Sequence, residues 1–277
     1  MRLLPKVSIV IPCYNHGRYL KEALSNLNNE SGLYEIIIVN DGSDEAKTLQ
    51  VLDDLKAKHF NIVFQENKGL SEARNTGIFH SKGDYILFLD ADNSIEVDFI
   101  NKAAEIFDAD SEIAVVYSDA EYVGNKIGRW NVGEFNLQRL MITNYIDACA
   151  MVRKTVFDEL GGYDSNMIGG WEDWELWLRI AFAGKKFYYL PEVGFKYRTY
   201  PGSMSGVLGK SFEIRNRLKT YLHEKYKGKM GQEYITDFVI TRFKKSPLKF
   251  VTKLVMISWF NKVYQKLLKE NKIIKGI

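Results

Sequence analysis

Cysteine, histidine and proline are scarce in this 277-residue sequence, at two, four and five residues. Cys13 and Cys149 lie far apart without metal-ligand spacing, and a chain of this length needs no disulfide to fold. A reducing, cytoplasmic setting is therefore expected. His16, His59, His80 and His223 show no metal spacing among themselves, so surface or packing roles are their default. No apolar run approaches the roughly 18 residues of a membrane-spanning helix. The opening MRLLPKVSIVIPCYN has a single Arg, an apolar stretch broken by Pro5 and Lys6, and no small-residue cleavage site, and it predicts no secretory signal.

Apolar residues are plentiful, at 46% of the chain, enough for a sizeable core. The net charge of +3 is unevenly spread. From Arg242 to Ile277 there are ten Lys or Arg and one acid, a net of +9, which leaves −6 for residues 1–241. An acidic body with a basic tail suggests chemistry in the first part and attachment to something anionic in the second.

Within the body, short apolar runs alternate with helix-period segments. VSIVIP (7–12), EIIIVN (35–40), NIVFQ (61–65), YILFLD (85–90) and IAVVYS (113–118) read as strands covered on both faces. Residues 17–28, 45–58, 71–81 and 96–108 read as the helices between them. The alternation predicts an α/β fold with a mostly parallel, doubly wound sheet, whose ligands lie beyond the carboxyl ends of the strands. Those ends carry Pro12-Cys13-Tyr14-Asn15, Asn40-Asp41-Gly42-Ser43 and Asp90-Ala91-Asp92. Carboxylates gathered at one sheet edge repel one another unless a cation joins them. Asp90 and Asp92 are thus candidate ligands of a divalent metal, Mg²⁺ or Mn²⁺ by their all-oxygen chemistry. The plainer alternative is a helix-capping Asp92 and a solvated Asp90 in the turn.

VSIVIPCYN, IIIVNDGS, ENKGLSEARNTGI, YILFLDADN and GGWEDWELWLR, in this order and spacing, resemble the family 2 glycosyltransferases, inverting enzymes with the A-type glycosyltransferase fold. The resemblance covers about residues 5–205. It implies a catalytic domain over 1–210, with a nucleotide-sugar half (1–118) and an acceptor half (119–210), followed by a basic helical extension over 211–277. It further implies that Asp41 hydrogen-bonds the uracil of a UDP-sugar sheltered by Pro12, Tyr14 and Asn15. Lys68, Gly69 and Arg74 would face the nucleotide, and the Asp90-Ala91-Asp92 turn would hold the metal beneath the diphosphate.

In GGYDSNMIGGWEDWELWLRIAFAG (161–184), Glu172 and Asp173 fall in the first turn of an amphipathic helix, where a carboxylate is favoured in its charged form. An inverting transfer needs one base opposite the leaving diphosphate. By resemblance the Glu-Asp pair supplies it, with Asp173 as base and Glu172 orienting the acceptor or the loop. Trp171 and Trp174 are candidates for an acceptor platform, Trp174 equally for the core. YRTYPGSMS (197–205) resembles the family's loop over the diphosphate, giving Arg198, Ser203 and Ser205 as donor contacts. Many relatives have His where Tyr200 stands, and that His can complete the metal shell, so metal ligands beyond the two aspartates stay open here.

The tail repeats apolar residues at helical spacing among lysines, from Val251 to Leu267. Such a helix suits an anionic membrane interface, or packing against the body or a second subunit. No nucleic-acid recognition motif accompanies the charge. The expected activity is metal-dependent transfer from a UDP-sugar to a saccharide or lipid-linked saccharide acceptor. The rival readings are a non-catalytic sugar-nucleotide-binding partner subunit and a sugar-1-phosphate nucleotidyltransferase, whose Gly-rich, Arg-containing first loop is here PCYNHG. A dehydrogenase would need G-x-G-x-x-G at that turn.

Overall fold

The computed structural model describes residues 5–27, 32–204, 206, 208, 211–230, 243, 244 and 246–260. They fall into two compact units that divide between Leu222 and His223.

The first unit is built on one mixed sheet. β1 (Val7–Cys13), β2 (Tyr34–Asp41), β3 (Asn61–Gln65) and β4 (Tyr85–Phe88) are parallel neighbours in the order β3-β2-β1-β4. Between them run α1 (Gly17–Ala23), α2 (Ala46–Ala57) and α3 (Leu70–His80). Alternate residues of each strand point to opposite faces. Val7, Ile9 and Ile11 join a core with Leu20 of α1, Leu52 of α2 and Phe99 of α4 (Val97–Ala109). On the other face α3 lies so close to β1 that a Cβ at Gly77 would sit 2.1 Å from a Val10 methyl carbon, which requires glycine there. Pro12 is tolerated because β1 pairs with β4 only as far as Val10, and its missing N–H leaves no gap in that ladder.

The second half departs from simple alternation. β5 (Ser94–Ile95), β6 (Ile113–Gly124), β7 (Gly128–Trp130), β8 (Met151–Arg153) and β9 (Lys186–Thr199) complete the sheet, with α5 (Leu137–Ile142), α6 (Lys154–Leu160) and α7 (Glu172–Phe182) around them. β6 is not the next neighbour of β4. The three-residue β8 lies between them, antiparallel to both. An antiparallel strand enters the sheet at the edge where its parallel neighbours leave, so the segment before β8 arrives beside the end of β4. β9 runs parallel to β6 and delivers its last residues to the same edge, while β5 pairs with it at Lys196 and Phe195.

α8 (Phe212–Lys225) buries Leu218 and Leu222, and Tyr221 donates to Asp164 Oδ2 at 2.6 Å, so the first unit continues past residue 210, where the sequence pattern suggests a boundary. Within the second unit α9 (Pro247–Trp259) exposes Leu248, Val251, Leu254, Val255 and Trp259. Val263, Tyr264 and Leu267 lie outside the described residues. No helix among the described residues is long and apolar enough to cross a membrane.

Candidate active site

Asp41 and Asp90 leave the sheet at the same end, on strands separated by β1. Around Asp41 the bonding is local and nearly complete. Its Oδ1 accepts from the Lys68 amide at 2.8 Å and Gln65 Nε2 at 2.7 Å, and Oδ2 from the Gly69 amide at 2.9 Å. A carboxylate offers about four acceptor positions, and three of them hold the 65–69 loop. Asn15, at a left-handed φ of 54°, ties the loop after β1 to the loop after β2. Its Oδ1 accepts from the Asp44 and Glu45 amides at 3.1 and 3.0 Å, and its Nδ2 donates to Asp44 Oδ1 at 2.7 Å. Pro12 is buried in β1 and Tyr14 is exposed. Lys68 is exposed beside a cavity of about 420 Å³ that Gly69, Ser71, Glu172 and Met204 also line.

The other side of the site is assembled from distant segments. Arg74 of α3 is 1% exposed, and its guanidinium donates to Asp90 Oδ1 at 2.7 Å and Glu172 Oε1 at 2.6 Å. This corrects the expectation that Arg74 offers its charge to a nucleotide: both bonds go to carboxylates, and Tyr163 packs its ring 5.0 Å from the guanidinium carbon. Glu172, expected to orient the acceptor or the loop, is buried as the second anchor of Arg74.

Asp173, the next residue in α7, faces a cavity of about 280 Å³ lined also by Asp90, Asn144, Asp147, Trp171 and Met204. Asn144 Nδ2 donates to its Oδ2 at 2.9 Å and the Trp174 amide to its Oδ1 at 2.8 Å. Those bonds favour the anion. Burial and the neighbouring Glu172 charge outweigh them and push the carboxyl up to about 7. The helix N-terminus alone predicts a fully ionised group. Desolvation and the adjacent Glu172 carboxylate act against that expectation.

Trp171 adopts a left-handed φ of 61°, following Gly169 at 97° and Gly170 at 131°. Three such residues in series turn the chain sharply into α7, and the non-glycine member costs about 1–2 kcal/mol. Trp171 meets Trp174 edge to face at 5.1 Å. Trp174 is 3% exposed and its indole N–H donates to the Leu140 carbonyl at 2.6 Å, so it belongs to the core and is no sugar platform.

Asp90 and Asp92 flank the buried Ala91 in a turn closed by the Asn93 amide on the Asp90 carbonyl at 2.9 Å. Burial first, and then the Asp90 charge, hold Asp92 above the usual carboxylate range. Arg198 of β9 donates from Nε to the Asp92 carbonyl at 3.0 Å, and its backbone amide donates to Asn93 Oδ1 at 2.9 Å. Ser203 is buried and its hydroxyl accepts from the Gly206 amide at 3.3 Å. Ser205 lies outside the described residues.

Asp147 is absent from the motif reading. Its Oδ1 accepts from the Cys149 amide at 2.9 Å, and burial between Asp90 and Asp173 pushes its carboxyl well up. A lone acid in the apolar run YIDACAMV is the signal that marks it. Asn144, which holds Asp173, has no comparable signature in sequence.

Arg74 sets one positive charge between Asp90 and Glu172, and Asp92, Asp147 and Asp173 have no ion-pair partner among the described residues. That excess of carboxylate oxygen suits a hard divalent cation. No group of three His, Cys, Asp or Glu among the described residues is arranged to hold a metal. Two carboxylates would therefore have to share the shell with diphosphate oxygens and water, a common arrangement for Mg²⁺.

Comparison with known proteins adds to this geometry. The profile of the family described as Glycosyl transferase family 2 matches residues 8–161. Glycosyltransferase GlyA of Streptococcus pneumoniae serotype 4 is 28% identical over 223 residues, covering 73% of this chain and 32% of that protein. Chondroitin synthase of Escherichia coli is 25% identical over 266 residues, with 94% and 37% covered. The chain thus spans about a third of these two relatives. The uncharacterized glycosyltransferase YwdF of Bacillus subtilis, 34% identical over 190 residues, is matched over 64% of this chain and 68% of its own length. Among solved structures, S. aureus TarS 1-349 in complex with UDP-GlcNAc superposes with a TM-score of 0.60 at 18% identity, covering 84% of this chain and 78% of that one. Mannosyltransferase PcManGT from Pyrobaculum calidifontis, in complex with GDP-Man and Mn²⁺, gives 0.58 at 15%, covering 96% and 84%. These two likenesses establish the A-type glycosyltransferase fold.

Proposed function

The chain belongs to glycosyl transferase family 2, and we propose that it transfers a sugar, with inversion, from a UDP-sugar to a hydroxyl of a saccharide or lipid-linked saccharide during bacterial surface polysaccharide synthesis. The observation that carries this reading is Asp173 on the wall of the cavity that also holds Asp90, with a proton affinity near neutrality. A base of that strength takes a hydroxyl proton while remaining available at working pH.

On this reading Asp41 holds the 65–69 loop in place beside the base of the nucleotide. Asp90 and Asp92 hold Mn²⁺ or Mg²⁺, which when bound screens the diphosphate and improves it as a leaving group. Arg74 keeps Asp90 in place and holds Glu172, whose neighbour Asp173 removes the acceptor proton. Asn144 fixes the Asp173 carboxylate so that one face stays toward the cavity. The UDP preference draws on TarS, solved with UDP-GlcNAc, and the polysaccharide role on relatives such as chondroitin synthase.

A non-catalytic nucleotide-binding subunit would have little use for a half-buried acid shifted toward neutrality on the cavity wall. A donor screen by UDP release, with and without Mn²⁺, tests donor and metal together. No release with any UDP-sugar and a range of saccharide acceptors would refute the transferase reading.

α9 supports a second assignment, attachment to an anionic membrane surface. It exposes apolar residues along one broad face, with Lys249 beside them, in a region carrying ten basic residues and one acid. Cosedimentation with anionic vesicles is expected to weaken with salt and to vanish on truncation near Lys245. Salt-insensitive partitioning into neutral vesicles or no association at all refutes the electrostatic attachment.

A further inference from the structure

Three segments far apart in sequence meet at the hydroxyl of Tyr200. It donates to Asp92 Oδ2 at 3.0 Å and lies 3.3 Å from Nε2 of His16, the residue just before α1. Tyr200 follows the last residue of β9, and Asp92 sits in the turn after β4. A phenol has a single proton. An ionised Asp92 accepts it, so the phenol oxygen can only accept from His16, which selects the imidazole tautomer protonated at Nε2. The rings pack as well: Tyr19 lies 5.7 Å from His16 and 5.8 Å from Tyr200, and His16 lies 6.4 Å from Tyr200, centroid to centroid. Tyr200 is the one side chain among the described residues that hydrogen-bonds the Asp92 carboxylate. The opposite side of the residue is fixed by Arg198 on the Asp92 carbonyl.

We propose that Tyr200, steadied by His16, is a positioning residue for the divalent cation: its hydroxyl fixes Asp92 Oδ2 and so presets the carboxylate for metal binding. The proposal rests on the reading that Asp90 and Asp92 bind the metal. It also gives roles to a histidine and a tyrosine that the sequence pattern leaves to packing and to an open metal shell. A carboxylate at the rim of a loop is free to rotate about its side-chain bonds, and a cation that takes only two protein ligands depends on finding them already oriented. Hydrogen-bond partners behind metal ligands are typically worth 10–100-fold in metal affinity.

The test titrates Mn²⁺ into the full-length, metal-free chain in the presence of UDP and reads the free aquo ion by electron paramagnetic resonance. Binding by the wild type and its loss in Asp92→Asn examine the metal reading on its own. Tyr200→Phe keeps the ring and its packing, and it is expected to weaken Mn²⁺ about 10–100-fold while the melting temperature in metal-free buffer stays within a few degrees. His16→Phe is expected to weaken binding in the same direction and to add nothing in the Tyr200→Phe background. His16→Gln, whose amide N–H reaches toward the phenol oxygen, is expected to recover most of the affinity. Unchanged Mn²⁺ affinity in Tyr200→Phe, beside a wild type that binds, overturns the proposal and leaves the metal reading standing. Additive losses in the double variant overturn the His16 part of the relay. A wild type that binds no Mn²⁺ overturns the metal reading and this proposal together.

Discussion

Asp41 and Asp173 both lie at the carboxyl edge of the sheet, yet the two regions around them are built on opposite plans. Asp41 takes three donors from residues 65–69, the next strand and its loop, and uses its negative charge to hold that loop. Asp173 is surrounded by α3, the segment before β8 and its own helix, and it receives two donors beside another carboxylate. The first arrangement gives up reactivity for geometry. The second keeps a carboxyl whose proton is exchanged near neutral pH. The difference teaches that a carboxylate's role here follows from what fills its surroundings, since both residues carry the same functional group at the same sheet end.

The comparison breaks most visibly at Asp173. Asp173→Asn keeps the shape and is expected to lower transfer about 10²–10⁴-fold, the usual worth of a general base, while UDP affinity measured by calorimetry stays near wild type. Equal losses from Asp41→Asn, with unchanged UDP affinity there, would erase the distinction between the two carboxylates. Next in size is Arg74→Met, which leaves the buried Glu172 and the partly exposed Asp90 without their cation. Removing one member of such a pair costs about 3–5 kcal/mol, and chemical denaturation reads it directly. Combining it with Glu172→Leu is expected to recover part of the loss, because one of the two stranded charges is then gone.

The proton affinity of Asp173 sharpens the contrast further. Folding holds its proton up to a pH of about 7, whereas the unfolded chain releases it near 4. The folded state therefore binds more protons across that window, and this group's contribution to stability falls as pH rises through it. Asp173→Asn is expected to flatten that part of the stability profile and to be the more stable protein at pH 8. The rate of transfer is expected to rise with pH with a midpoint near 7, and a midpoint near 4 would mean that the base is solvated. The smallest effect is expected on the Asp41 side. Asn15→Gly keeps the left-handed backbone and loses the cap on the loop before α2, for about a few tenths of a kcal/mol. Asn15→Ala adds about 1–2 kcal/mol of left-handed strain to that loss, and thermal unfolding separates the two.

Much of the first region was legible from sequence. The strands β1 to β4 and the helices between them follow from apolar runs and helix-period segments, because each element's pattern reports the faces it covers. The turn Asp90-Ala91-Asp92 and Asp41 fall at strand ends, where a parallel sheet puts its ligands. The choice between core and platform for Trp174 and the engagement of Arg74 by two carboxylates were not decided in the sequence. Both turn on α7 packing across α3 and α5, contacts between residues 34 to 98 positions apart. Asp147 was missed for the same reason: nothing near it in sequence says that β8 inserts antiparallel beside β4.

By itself the amino-acid order determined the alternation of strands and helices, the sheet end at which acids gather, the basic tail and the family. Those follow from periodicity and local turn chemistry, which act over a few residues. Only the tertiary structure decided which carboxylates share Arg74, which are held above the usual carboxylate range and which hydroxyl bonds Asp92. Desolvation and ion pairing depend on the groups that folding brings within a few ångströms, and the chain order carries no direct record of those distances.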